Sequence, residues 1–175
     1  MLFITTSRRP AVRTRIFIKE LERVIPGTKR VIRGKKSIED LQRLLFINGV
    51  SRLVIVENKK GNPWALHFYK FDFFKLKIVC TLYIRGVSLQ VDVKKKRFVS
   101  FLEIEDQCLD ETSKIVYSLL KDFIPESGFV KRHTGVKAFL RIKCRDSEYI
   151  LSFEDEDGNR IYPIIRICGV KVYDQ

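Results

Sequence analysis

Leu2-Phe3-Ile4-Thr5-Thr6-Ser7-Arg8-Arg9-Pro10 is the stretch on which the reading of this chain turns. A short apolar run delivers three hydroxyls and two guanidiniums to the point where a helix is predicted, from Val12 to Ile25. Phe17, Ile18, Leu21, Val24 and Ile25 form the apolar stripe of that helix, while Arg15, Lys19 and Arg23 recur every four residues on another side. First-turn amides lack intrahelical partners, and the helix dipole is positive at that end. A strand that feeds a helix through Ser-Arg-Arg is therefore a natural anion site. The plainer alternative is that Ser7 or Thr6 caps the helix and the arginines are solvated.

Working outward, Pro26-Gly27 ends the helix, and Arg30 to Arg33 is expected to be a short strand. Ser37 reads as an N-cap with Asp40 three residues on, opening a second helix that turns Ile38, Leu41, Leu44 and Leu45 inward and stops near Asn48-Gly49. Leu53-Val54-Ile55-Val56 lacks polar alternation, as expected of a strand buried on both faces. Asn58 to Asn62 is a turn, Pro63 to Phe71 the returning strand, and Phe74 to Ile84 a long, half-buried strand. Strand–helix–strand–helix–strand predicts an α/β layer structure.

In the second part, the expectations are a strand at Ser88–Val93, a basic run Lys94-Lys95-Lys96-Arg97, and an acidic loop through Glu103, Glu105 and Asp106. A helix follows from Glu111 to Phe123, with Ile115, Val116, Leu119, Leu120 and Phe123 inward. Three strands finish the chain, at Val136–Cys144, Glu148–Phe153 and Ile161–Tyr173, the last two joined by Asp157-Gly158-Asn159. Pro163 puts the start of the last strand after it, or that strand at a sheet edge.

The formal net charge is +13, and Arg8 to Arg43 holds twelve basic residues against four acidic ones, a surplus of +8. Such concentration suits a nucleic-acid face better than a mixed solvated surface. No run is long enough to span a membrane, and no leader pattern precedes Arg8-Arg9. Cys80, Cys108, Cys144 and Cys168 are far apart, and there are two histidines, which removes the usual zinc spacings and points to reduced thiols in the cytoplasm. Cys80 and Cys168 are expected in the core. No metal, cofactor or small-molecule substrate is expected.

Ile4-Thr5-Thr6-Ser7-Arg8-Arg9-Pro10, Lys19-Glu20-Leu21, Ile25-Pro26-Gly27, Arg33-Gly34 and the hairpin from Leu53 to Pro63 resemble, in order and spacing, the Brix domain family. The likeness is to its small archaeal Imp4-like members. It covers the whole chain, but its specific motifs lie in the first 63 residues or so. Arg9, Ala11 and the loop Phe71-Asp72-Phe73-Phe74-Lys75-Leu76 depart from the family pattern. The resemblance implies a single domain over 1–175 with approximate halves 1–86 and 87–175. Those halves form an α/β fold with two pseudo-symmetric parts resembling class IIa aminoacyl-tRNA synthetase anticodon-binding domains. It also implies binding of pre-ribosomal RNA in ribosome biogenesis, alongside other assembly proteins.

The residues expected to meet RNA are Thr5, Thr6, Ser7, Arg8 and Arg9, with Arg13, Arg15, Lys19, Arg30 and Arg33 supplying the surrounding positive field. Arg23 is expected to pair with Glu20, and Lys19 with Glu22. Base stacking would fall to Trp64 before Phe68, Tyr69, Phe71, Phe73 or Phe74. Glu154-Asp155-Glu156-Asp157 reads as a solvated turn, and His67 and His133 lack a catalytic constellation, so no enzyme is expected. Two alternatives are a protein-interaction module using the acidic Glu103, Glu105, Asp106, Asp110 and Glu111, and a tRNA-binding module.

Overall fold

Leu2–Thr6 (β1) is buried along its whole length, and the rest of the sheet is laid out around it. The computed structural model describes residues 1–72, 75–90, 97–125 and 135–174. After β1 come α1 (Val12–Val24), β2 (Thr28–Arg30), α2 (Ile38–Ile47), β3 (Arg52–Lys59), β4 (Asn62–Phe71) and β5 (Leu76–Ser88). They are followed by β6 (Val99–Asp106), α3 (Glu111–Phe123), β7 (Val136–Arg145), β8 (Glu148–Asp155) and β9 (Arg160–Val172). Among the described residues this is a mixed α/β fold, a curled nine-stranded sheet with three helices, in the order β2-β1-β3-β4-β5-β9-β8-β7-β6.

β1 runs parallel to both β2 and β3, and pairing is antiparallel through β3, β4 and β5. On the other flank β6 is parallel to β7, with β7, β8 and β9 antiparallel. β5 and β9 join the two flanks antiparallel.

Side-chain alternation in β1 and β3 explains why both can be buried twice over. Leu2, Ile4, Val54 and Val56 join one core with α1 (Phe17, Leu21, Val24) and α3 (Val116, Leu120, Phe123). Phe3, Leu53 and Ile55 pack on the opposite side with Leu41 and Leu45 of α2. The expected cap of α2 is a reciprocal capping box: Asp40 N–H donates to Ser37 Oγ at 3.1 Å, and Ser37 N–H donates to Asp40 Oδ2 at 2.8 Å. Lys60 and Gly61 both have positive φ (48° and 82°), the primed-turn geometry that suits a two-residue hairpin.

Several expectations need correction. The acidic loop is strand β6; Leu102 and Ile104 are buried and alternate with Glu103 and Glu105, a period of two masked by the charges. The short strand ends at Arg30, because Gly34, with φ 52°, turns the chain away soon after. Ile115 lies on the outer side of α3, 43% exposed. β9 runs through Pro163 in a central position. The β8–β9 register shifts there, and pairing with β5 reaches only to Ile164, so no ladder bond is asked of the missing N–H. Cys80 is buried as expected, but Cys168 is exposed. Phe73, Phe74, His133, Lys94-Lys95-Lys96 and the end of the expected strand at Val91–Val93 lie outside the described residues.

α3 is anchored to the opposite flank of the sheet. Phe123 meets Phe68 edge-on with ring centroids 5.0 Å apart, and Asp122 pairs with Arg52 at 3.0 Å and Lys70 at 2.8 Å. Phe123→Ala should cost roughly 3–5 kcal/mol in denaturant unfolding. Burial alone would raise Asp122, but hydrogen bonds from Lys70 and Arg52 hold its carboxyl below the usual range. A depressed folded-state pKa gives stability that is present above the unfolded-state value and lost as pH falls through the folded one. The pair is partly exposed, so Asp122→Asn should cost about 1 kcal/mol at neutral pH. The cost should shrink as pH falls below about 3.9, the ordinary Asp value. Urea titrations at neutral and acid pH check this.

Candidate nucleic-acid interface

α1 links β1 to β2 and α2 links β2 to β3, on opposite faces of the sheet. The winding therefore reverses between β1 and β3, and a crevice opens outside the carboxyl ends of these parallel strands. β1 delivers Ser7 and Arg8 to it, β2 delivers the segment up to Arg33, and β3 delivers Asn58.

One side-chain oxygen organises the entrance. Asn58 Oδ1 accepts from Ser7 Oγ at 3.2 Å and from Ala11 N–H at 3.3 Å, while Ser7 N–H donates to Val56 O at 2.9 Å. Ser7 is thus spent on Asn58, and Thr6 is buried. The N-cap of α1 is Ala11, which supplies no side-chain cap, and the first turn carries no acid. The capping alternative fails, and the positive end of α1 is left for another partner.

Arg8 and Arg9 are exposed at this end. Thr5 and Thr6 lie beneath it, buried, and the Thr5 hydroxyl donates to Val31 O at 2.8 Å, so both serve the fold. Arg33 is only 7% exposed, and its Nε and Nη1 have no hydrogen-bond partner. Burial lowers its pKa, and the nearby charge of Arg8 lowers it further, against smaller opposing effects of Tyr69 and Asp40. A desolvated guanidinium beside a second one is a site short of negative charge.

Around it, Arg15 and Lys19 are exposed on α1, and Arg13 Nη2 donates to Val87 O at 2.8 Å. Arg30 is shared with Glu22, which accepts from its backbone N–H at 2.8 Å and lies 3.4 Å from its Nε. Glu22 is therefore Arg30's partner and not that of Lys19, and Arg23 Nη2 donates to Gln90 at 3.1 Å. Trp64 is 36% exposed with Lys59 Nζ 4.5 Å from its ring centre. Phe68 is core, and Tyr69 and Phe71 pack beside α2.

Sequence reasoning missed Asn58, read there as part of a turn, because its role depends on two segments far away in the chain. It also missed the neighbours of His67, whose ring nitrogens lie 2.9 Å from Thr81 Oγ1 and 2.9 Å from Glu57 Oε2. Thr81 is fully buried, so no substrate meets that hydroxyl.

The Glu154–Asp157 run is not simply solvated. Glu154 binds Arg141 and Lys143, and buried Asp155 accepts from the amides of Asp157 and Asn159 at 3.1 and 2.7 Å. The acidic region is likewise engaged: Glu105 with Arg141 at 2.9 Å, Glu103 with Lys137 at 3.6 Å, and Asp110 as the cap of α3. No helix among the described residues is long and apolar enough to cross a membrane.

No family model matches the chain. Curated relatives do. A probable Brix domain-containing ribosomal biogenesis protein of Thermococcus kodakarensis is 41% identical over 93 residues, 53% of this chain and 45% of that protein. The matched stretch thus spans less than half the length of this relative. A protein of the same description from Sulfurisphaera tokodaii is 27% identical across 99% of this chain and 93% of its own length.

Among solved structures, a probable ribosomal biogenesis protein from Aeropyrum pernix superposes with a TM-score of 0.75 at 25% identity, covering 95% of this chain and 94% of that one. Mil, an archaeal Imp4-like protein, shares the fold at a TM-score of 0.73 and 18% identity, covering 99% of this chain and all of Mil. The chain is thus a homologue of archaeal proteins described as probable Brix domain-containing ribosomal biogenesis proteins, and it shares its fold with the Imp4-like protein Mil.

Arg33→Met tests the electrostatic diagnosis. Replacing an unpartnered buried cation by an apolar chain of similar length should raise stability by about 1–3 kcal/mol. Thermal unfolding checks it; a lowered midpoint would mean that Arg33 is paired in the folded protein.

Proposed function

We propose that this chain is a non-catalytic RNA-binding protein that assists ribosome biogenesis by holding pre-ribosomal RNA at the crevice between β1 and β3. The observation that carries this reading is Arg33, buried and unpartnered beside exposed Arg8 at the uncapped start of α1. Phosphate oxygens match the forked donors of guanidinium groups and the bare amides of a first helical turn. In this reading Arg8, Arg9 and Arg33 hold one backbone segment, and Ser7 positions the loop through Asn58. Arg13, Arg15, Lys19 and Arg30 spread the positive field along α1, and Thr5 and Thr6 support the site from below. The description of the relatives as ribosomal biogenesis proteins supports the ribosomal target; other assembly proteins as partners and a cytoplasmic setting are part of the same proposal.

We further propose the finer architecture as a single Brix domain over 1–175 with approximate halves 1–86 and 87–175, each similar to a class IIa synthetase anticodon-binding domain. Support comes from the matching order of pairing in β1-β3-β4-β5 and β6-β7-β8-β9, each with a helix after its first strand.

Binding of labelled pre-ribosomal RNA fragments across a salt series tests the function, with tRNA and duplex DNA as competitors. Affinity should fall steeply with salt, with a slope of about −0.7 per phosphate on single strands. Arg8→Glu with Arg9→Glu should weaken binding at least tenfold at about the same stability, since both residues are exposed. Unchanged affinity in the folded double variant removes this site. No binding at low salt would favour the protein-interaction module, and preference for tRNA would change the target.

A further inference from the structure

Cys108 and Cys144 are remote in sequence, but the parallel β6–β7 pair brings them together. Asp106 sits opposite Ile142, and Gln107 N–H still donates to Ile142 O at 3.0 Å, so two residues further along the cysteines lie side by side. Leu109, with φ 62°, turns the chain between Cys108 and Asp110. The two sulfurs and a carboxylate oxygen of Asp110 all lie within 4.8 Å of one another. Asp110 is held in place: its Oδ1 accepts from Ser113 N–H at 2.8 Å and from Tyr149 Oη at 2.9 Å. Asp106 adds negative charge without offering a ligand. Its Oδ1 accepts from Cys108 N–H at 2.9 Å and its Oδ2 from Ser113 Oγ at 2.8 Å.

We propose that Cys108, Asp110 and Cys144 form a three-ligand site for a borderline-soft divalent cation, zinc being the best match. Two sulfurs disfavour magnesium and calcium, and three protein ligands with Cys144 exposed leave a fourth, solvent-facing position. The Tyr149 and Ser113 bonds are the outer support that fixes a ligating carboxylate. Binding releases one proton from each thiol, including the one Cys108 Sγ now points at Ile142 O, 3.7 Å away. The cation would tie the start of α3 to the end of β7, on the flank away from the proposed RNA crevice, and this inference does not depend on that reading.

Cobalt(II) titration of the reduced full chain tests it. One equivalent should bring up thiolate-to-cobalt charge-transfer absorption and visible bands of tetrahedral cobalt, and zinc should abolish both. Cys144→Ser, at an exposed position, should weaken binding at least tenfold with unchanged circular dichroism. Asp110→Asn, which keeps a good N-cap residue, should also weaken it, and Cys168→Ser should not. Absence of charge transfer at stoichiometric cobalt, or a spectrum that survives Cys144→Ser, overturns the proposal.

Discussion

Everything in the first flank of this protein depends on burying β1 twice. This five-residue strand is covered on both faces because its two neighbours run parallel to it and the connecting helices take opposite sides. α1 and α2 do this, and the reversal of winding between β1 and β3 is the geometric consequence. The crevice at the strand ends is therefore a by-product of how the core is packed. Ser7, Arg8 and Arg33 meet there because each directly follows, or closely follows, a strand of the parallel set.

That placement sets stability against binding. Asn58 uses one oxygen to hold Ser7 and the start of α1, which fixes the loop while leaving the helix uncapped. Arg33 is buried without a partner, an arrangement that weakens the folded state unless an anion arrives. Across the sheet the electrostatics are the reverse: Glu103, Glu105 and Glu154 are matched by Lys137, Arg141 and Lys143. Among the described residues, a buried guanidinium without a hydrogen-bond partner thus lies where the polyanion is proposed to sit.

Much of this could be read in the sequence where local chemistry decides. The Ser37–Asp40 capping box, the doubly buried Leu53–Val56 run and the 3.6-residue stripe of Glu111–Phe123 all depend on neighbours within a few positions. What could not be read depends on register between distant segments. β6 hid its alternation behind acids whose partners lie on β7, and Pro163 is tolerated because β8 slips beside it. Arg33 looked like another surface cation, since nothing local signals that the turn after β2 folds it inward. Cys108 and Cys144 became neighbours only through parallel pairing.

The central claim is that an RNA phosphate occupies the crevice between β1 and β3. Nitrogen-15 spectra of the labelled protein, recorded as a short single-stranded pre-ribosomal RNA fragment is added, test it most directly. The account predicts that the Arg33 Nε–H and the amides of Val12, Arg13 and Thr14 shift together and saturate with one affinity. Shifts confined to β6–β9, with the Arg33 and α1 signals unmoved, would contradict it.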